Sequence, residues 1–231
     1  MSLVSNLFLL FVAASILIYY IVPRKSQWIV LLIFSYLYYI AGGPRYVVFI
    51  LFSTLVTWLM ALLIEKAEGK ENHKGARKLL ILGLILNFGM LGIVKYTNFA
   101  VENINALLHL NLRGIQLLLP LGISFYTFQS SGYLLDVYWK RCKAERHPLK
   151  YALFVSFFPQ ILQGPIGRYS RLADQLYAEH RFEGNNIIRG FERILWGFFK
   201  KMILADWAAA FADAIFEDPA KYNGVALLGV L

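Results

Sequence analysis

Charge is scarce in this 231-residue chain. Asp, Glu, Lys and Arg together make 16% of it, against about 25% in an ordinary soluble domain. That deficit, beside the apolar blocks below, excludes a disordered chain and argues against a cytosolic enzyme. Cysteine is scarcer still. The single Cys142 excludes a disulfide framework and leaves no cysteine pair for zinc. The sequence supplies no helper for its thiol, which reads as an incidental loop group. Histidine is confined to His73, His109, His147 and His180, all in loop or interfacial stretches. None has a second His or a carboxylate at ligand spacing on one helix, so no metal is expected. A general base needs a sheltered, oriented imidazole, and these four read as solvated or capping groups. Gly164-Pro-Ile-Gly167 lacks the Lys-Ser/Thr partner of a phosphate loop, and there is no nucleophile elbow.

What the chain has is apolar residues: 58% hydrophobic and 16% aromatic. They come in blocks, and a membrane-crossing helix needs about 20 of them. Leu3–Val22, Tyr46–Ile64, Leu79–Val94 and Ile115–Leu135 meet or approach that length, the third extended by Lys95 and Tyr96. Trp28–Ala41 is shorter. The first block has no basic stretch before it and no small-x-small cleavage site after it, so it reads as a span and not a signal peptide. The fold class expected is an all-α, polytopic helical membrane protein.

The net charge of +9 does not point to nucleic acid, because the basic residues alternate by loop and no recognition module is present. Seventeen of the 23 lie in four loops: after Pro23, over Glu65–Lys78, over Lys140–Lys150, and from Arg168 to Arg193. The alternate loops hold three, Arg45, Lys95 and Arg113. The positive-inside rule then places the amino terminus outside and the four basic loops in the cytoplasm. Asn98–Gln116 is amphipathic and is expected on the outer interface.

The character changes after Leu119. Ser124, Tyr126, Thr127 and Gln129 interrupt a membrane-length run whose start is loosened by Pro120 and Gly122. Further on, Pro159, Gly164, Pro165 and Gly167 cannot share one regular helix. A break is expected at Pro159 or around Gly164-Pro165. Irregular backbone at membrane depth is tolerated only where protein buries it or where it lines a wet cavity. Gln160 and Gln163 are costly in lipid and either cap broken helix ends or line such a cavity. Near the end, Arg189, Glu192, Arg193, Lys200, Lys201 and Asp206 punctuate an apolar helical pattern. Lys200 or Lys201 is spaced to pair with Asp206, which reads first as a structural ion pair. Asp136 ends a span beside Tyr138 and Trp139 and reads as part of an interfacial anchor.

Three stretches carry a resemblance. Leu119-Pro-Leu-Gly-Ile-Ser-Phe-Tyr-Thr-Phe-Gln129 with Gly132-Tyr133 and Asp136-Val-Tyr138 is the first. Phe157-Phe-Pro-Gln160 with Gln163-Gly-Pro-Ile-Gly-Arg-Tyr169 is the second, and Trp196-Gly-Phe-Phe-Lys-Lys-Met-Ile-Leu-Ala-Asp206 the third. In this order they resemble signatures of the bacterial membrane-bound O-acyltransferase family, in its branch of alginate O-acetylation and teichoic acid D-alanyl transfer proteins. The resemblance implies that 1–231 is the amino-terminal part of one such domain, with spanning helices over 1–96 and a cavity-forming part over 97–231. In that family the proposed general base is the histidine of a Trp-His pair. No Trp precedes a His here, and the family's pattern places that helix beyond Leu231, so no catalytic residue is carried over and this chain alone is expected to be inactive.

The chemistry so implied is transfer of an acyl group, in the first place acetyl, to hydroxyls of a cell-surface or cell-wall polymer. The donor is an acyl thioester, acetyl-CoA or an acyl carrier protein, arriving from the cytoplasm, and no cofactor is held. Ser124, Tyr126, Gln129, Gln160, Gln163, Gly164 and Arg168 are the tunnel candidates. Membrane lipid and an extracytoplasmic acetyltransferase are the implied partners, and the bacterial cytoplasmic membrane the implied location. A transporter or channel also builds sites from broken helices, and a membrane scaffold is the third reading.

Overall fold

The computed structural model describes residues 5–108, 110, 120–161 and 166–217. Gln163, Gly164 and His109, named above, lie outside the described residues. The chain forms two compact units, 1–180 and 181–231. Among the described residues all regular structure is helical.

In the first unit, α1 (Asn6–Ile21) starts at Ser5, whose hydroxyl accepts the Phe8 amide N–H at 3.3 Å. A short 3₁₀ turn leads to α2 (Gln27–Ala41), and a second, opened by Pro44, to α3 (Val47–Glu68). A turn through Gly69 and Asn72 then reverses the chain into α4 (His73–Leu108). No proline falls within those 36 residues, so helix continues to Leu108, into the first part of the stretch expected on the outer interface. At 1.5 Å per residue α4 is about 54 Å long, more than the roughly 30 Å hydrocarbon layer requires.

The packing of α3 and α4 is inside-out. Their buried faces carry Ser53, Thr54, Thr57, Ala61, Ala76, Gly83 and Asn87 beside a few large apolar residues such as Ile50, Ile64 and Leu91. Their exposed faces carry Leu51, Leu55, Leu59, Leu63, Ile81, Ile85 and Ile93. A helix in water buries its leucines, whereas helices in lipid put small and hydroxylated residues at the contact and leave the leucines outside. Both helices are long and apolar enough to cross a membrane. This is an all-α membrane protein. Gly83 marks where α3, α4 and α5 meet: a Cβ there would stand 2.8 Å from Leu134 Cδ1 and 3.3 Å from Met60 Cγ.

α5 (Ile123–Tyr138) begins after Pro120, at Gly122, whose φ of +66° is left-handed. A Cβ on Gly122 would lie 2.1 Å from the Ile161 carbonyl oxygen, so only glycine allows the approach. α6 (Pro148–Ser156), α7 (Phe158–Ile161) and α8 (Tyr169–Tyr177) complete the first unit. The expected break in the second motif stretch is present, but two residues earlier than Pro159. The chain leaves helix at Phe157 (φ −50°, ψ +106°) and resumes at Phe158. Proline has no N–H for a bond to residue i−4. Breaking before it puts Pro159 in the first turn of a new helix, where that bond is not needed.

In the second unit, α9 (Gly184–Phe199) passes without a break into a π-helical stretch, Lys200–Ala205, and then α10 (Asp206–Glu217).

Candidate functional site

The sequence-derived candidates gather where α5 meets the broken stretch. Phe158 N–H, the regular partner of the Phe154 carbonyl in an unbroken helix, instead donates to Ser35 Oγ at 3.2 Å. Gln129 takes its place: Nε2 donates to the Phe154 carbonyl at 3.0 Å, deep in the unit. Gln129 therefore braces the break from the neighbouring helix. Tyr126 is fully buried and interacts with Tyr39 of α2. Neither hydroxyl has a hydrogen-bond partner among the described residues, and the same holds for Tyr36, Tyr38, Thr54, Thr127 and Ser131. Buried hydroxyls are ordinarily paired. Tyr36 lies by Thr54, and Tyr39 by Tyr126, which makes a polar seam across α2, α3 and α5 that is buried in protein, as polar groups within a membrane must be. Ser124 is half-buried one turn before Phe128.

Gln160 stands at the far side of the break. Its Oε1 is buried and unpaired among the described residues, 2.8 Å from where a Gly167 side chain would begin. Arg168 is exposed at the start of α8. The structure thus brings Gln129 and Gln160 to the two ends of one helix break, with Tyr126 on the same helix as Gln129, and leaves Arg168 at the surface.

Beside the break lies a polar pocket of about 380 Å³, lined by Cys142, Lys143, Glu145, Arg146, Tyr169, Ser170 and Asp174 among others. Sequence reasoning missed its organiser, Glu145. The carboxylate accepts from Tyr169 Oη at 2.5 Å and from the His147 amide at 2.8 Å. The Glu145 amide donates to Tyr133 Oη at 2.8 Å, and its carbonyl accepts from Trp58 Nε1 at 2.9 Å. The one signal in the sequence is an acidic residue alone in a basic loop. Burial pushes the Tyr169 hydroxyl well above its usual range, with Tyr177 and Glu145 adding to the effect, so it stays a donor to Glu145. Burial, then the nearby Asp136 and Glu65 carboxylates, push the Cys142 thiol up to about 11.

The three histidines among the described residues have structural partners. His73 pairs with Glu68 at 3.0 Å, His147 meets the Trp28 ring edge-on at 5.5 Å, and His180 Nδ1 bonds Tyr19 Oη at 2.8 Å. Asp136 is held by Arg141 at 3.5 Å. In the second unit Lys201 pairs with Asp206, five residues apart as a π-helical turn favours, while Lys200 lies over the Trp196 ring at 5.7 Å. No group of three or more His, Cys, Asp or Glu able to hold a metal occurs among the described residues.

The chain aligns over 98% of its length with a Pseudomonas aeruginosa protein named probable alginate O-acetylase AlgI, at 34% identity and over 44% of that protein. The protein of that name from Azotobacter vinelandii is 33% identical over 98% of the chain and 46% of its own length. A Helicobacter pylori peptidoglycan O-acetyltransferase is 33% identical over 82% of the chain and 40% of its own length. The chain is thus similar, over most of its length, to part of each of these O-acetyltransferases. It spans less than half the length of these relatives. No family model matches it, and no solved structure does. The α5 members of the seam, Gln129 and the helix break it braces fall in the stretches where the first two motifs lie.

Proposed function

We propose that this chain is part of a membrane-embedded O-acyltransferase that passes an acetyl group to hydroxyls of a cell-surface polysaccharide or cell-wall polymer. The observation that carries the proposal is the alignment of 98% of the chain with an alginate O-acetylase. The buried seam supports it. Transfer from a thioester must keep water from competing with the acceptor hydroxyl, and protein-lined polarity within the membrane provides such a place. The protein lies in the bacterial cytoplasmic membrane with several crossings and its amino terminus outside. An acyl thioester, acetyl-CoA or a carrier-bound acyl group, reaches it from the cytoplasm, on the side of the pocket around Glu145. A second, extracytoplasmic acetyltransferase completes delivery to the polymer. The seam supplies walls: Tyr126, Tyr39 and Gln160 offer hydroxyls and an amide to a passing polar group. The test is deletion of the gene, followed by assay of ester-linked acetate on purified surface polymers. Loss of that acetate, restored by the gene in trans, is the result expected. Unchanged acetate on every surface polymer overturns the reading.

A further inference from the structure

We propose that the groove between α2, α3 and α6 holds one acyl chain of an anionic phospholipid, with its phosphate at Lys66 and Arg146. This goes beyond acyl transfer and does not depend on it. The groove measures about 570 Å³. Its walls are mostly aliphatic: Ile33, Leu37, Leu51 and Leu55, each about half exposed, line it, with Tyr36 and Thr54 of the seam among the rest. Trp58 lines it as well. The Trp58 indole N–H is already committed to the Glu145 carbonyl, so the ring offers only apolar surface.

A polar notch lies further along the same face of α3. Leu51, Leu55, Trp58, Leu62 and Glu65 follow one another at steps of three or four along α3, which is a single helix face. The last two line a second hollow with Lys66 and Arg146, of about 380 Å³. From Leu51 to Leu62 the helix rises about 16 Å, close to one leaflet of a hydrocarbon layer about 30 Å thick. The notch therefore stands about where a lipid's phosphate would be when its chain fills the groove.

Charge selects the headgroup. Glu65 accepts the Ala144 amide at 3.1 Å and pairs with Arg146, so it is one negative charge beside two positive ones. The Arg146 side chain is 73% exposed. Among the described residues no carboxylate pairs with Lys66. A net-positive notch at the membrane surface favours a phosphate whose charge no choline or ethanolamine cancels.

Native mass spectrometry on the full protein encoded by the gene, released from detergent, tests this. Phosphatidylglycerol and phosphatidylcholine with identical chains are the probes. One phosphatidylglycerol is expected to remain bound at lipid ratios where phosphatidylcholine is retained about tenfold less. Lys66→Gln, a surface change, should bring the two lipids within about twofold. Leu55→Trp, which fills the groove, should abolish retention of both, with an unchanged helical circular dichroism spectrum as the folding control. Leu37→Trp serves if Leu55→Trp misfolds. Equal retention of the two lipids by the unsubstituted protein overturns the proposal. So does no retained lipid, which means that protein covers the groove, or undiminished retention in the well-folded filled variant.

Discussion

Asn87 joins two helices with one side chain. Its Oδ1 accepts from Ser53 Oγ at 2.6 Å, and its Nδ2 donates to Thr57 Oγ1 and to the Gly83 carbonyl, both at 3.0 Å. Between helices in lipid such bonds average roughly 0.6 kcal/mol and reach about 1–2 kcal/mol. Asn87→Ala should therefore cost about 1–2 kcal/mol, read as a lower midpoint in reversible unfolding in mixed micelles. Cys142 gives a residue-scale test of electrostatics. Burial first, then Asp136 and Glu65, raise its thiol to about 11. The thiolate is the reactive form. At pH 8 its reaction with iodoacetamide should be on the order of a hundredfold slower than that of a free cysteine. The rate should keep climbing through pH 10 and beyond, and a plateau near pH 9 would contradict the buried, carboxylate-flanked setting. Neither neighbour of this thiol is next to it in sequence, which is why the basic loop around it gave no hint of a raised pKa.

At the scale of the element, the broken stretch shows what composition can reveal and what it cannot. Pro159 announces a break because a proline N–H is missing. Where the backbone turns depends on what receives the orphaned groups, and those receivers are distant. Ser35 of α2 accepts the Phe158 amide, and Gln129 of α5 serves the Phe154 carbonyl. Gln129 was legible as a costly polar group in an apolar run, but its duty was not, because the carbonyl it serves is 25 residues away. Replacing it with Leu leaves that carbonyl buried and unpaired, a cost of about 1–3 kcal/mol. Gln129→Leu should lower the thermal midpoint in detergent more than Phe128→Leu, on the exposed side of the same helix. Equal effects would mean that the brace carries no weight. The long α4 is the converse case. Amphipathic patterning marked 98–116 as separate, yet nothing between His73 and Leu108 forces helix to stop, and a period change alone does not end a helix.

For the whole molecule, the apolar blocks made the membrane class readable before any contact was known, since block length is a one-dimensional property. The inside-out burial of α3 and α4 agrees with it, and the polar seam does not follow from block length, because its members come from α2, α3 and α5 and meet only when those helices pack. Orientation rests on a different quantity, the loop bias of Lys and Arg. The turn between α3 and α4 is the best place to measure it. It lies between the two helices long and apolar enough to cross the membrane, and with the adjoining helix ends it carries five basic residues between Glu65 and Lys78. Gly69 is its natural probe position. Its φ of −66° suits any residue, and the nearest atom to an added Cβ is the Glu65 carbonyl oxygen at 3.4 Å, so cysteine fits without strain. In a Cys142→Ser background, Gly69→Cys should resist a membrane-impermeant maleimide in intact spheroplasts and react within minutes once the membrane is permeabilised. The basic loop over Lys140–Lys150 must behave the same way, because Glu65 of α3 pairs with Arg146 and accepts the Ala144 amide, which holds the two loops on one side of the membrane. Lys143→Cys, in the same background, is the paired measurement. Free labelling of Gly69→Cys in intact spheroplasts would reverse the orientation, and labelling of only one of the two positions would contradict the packing itself.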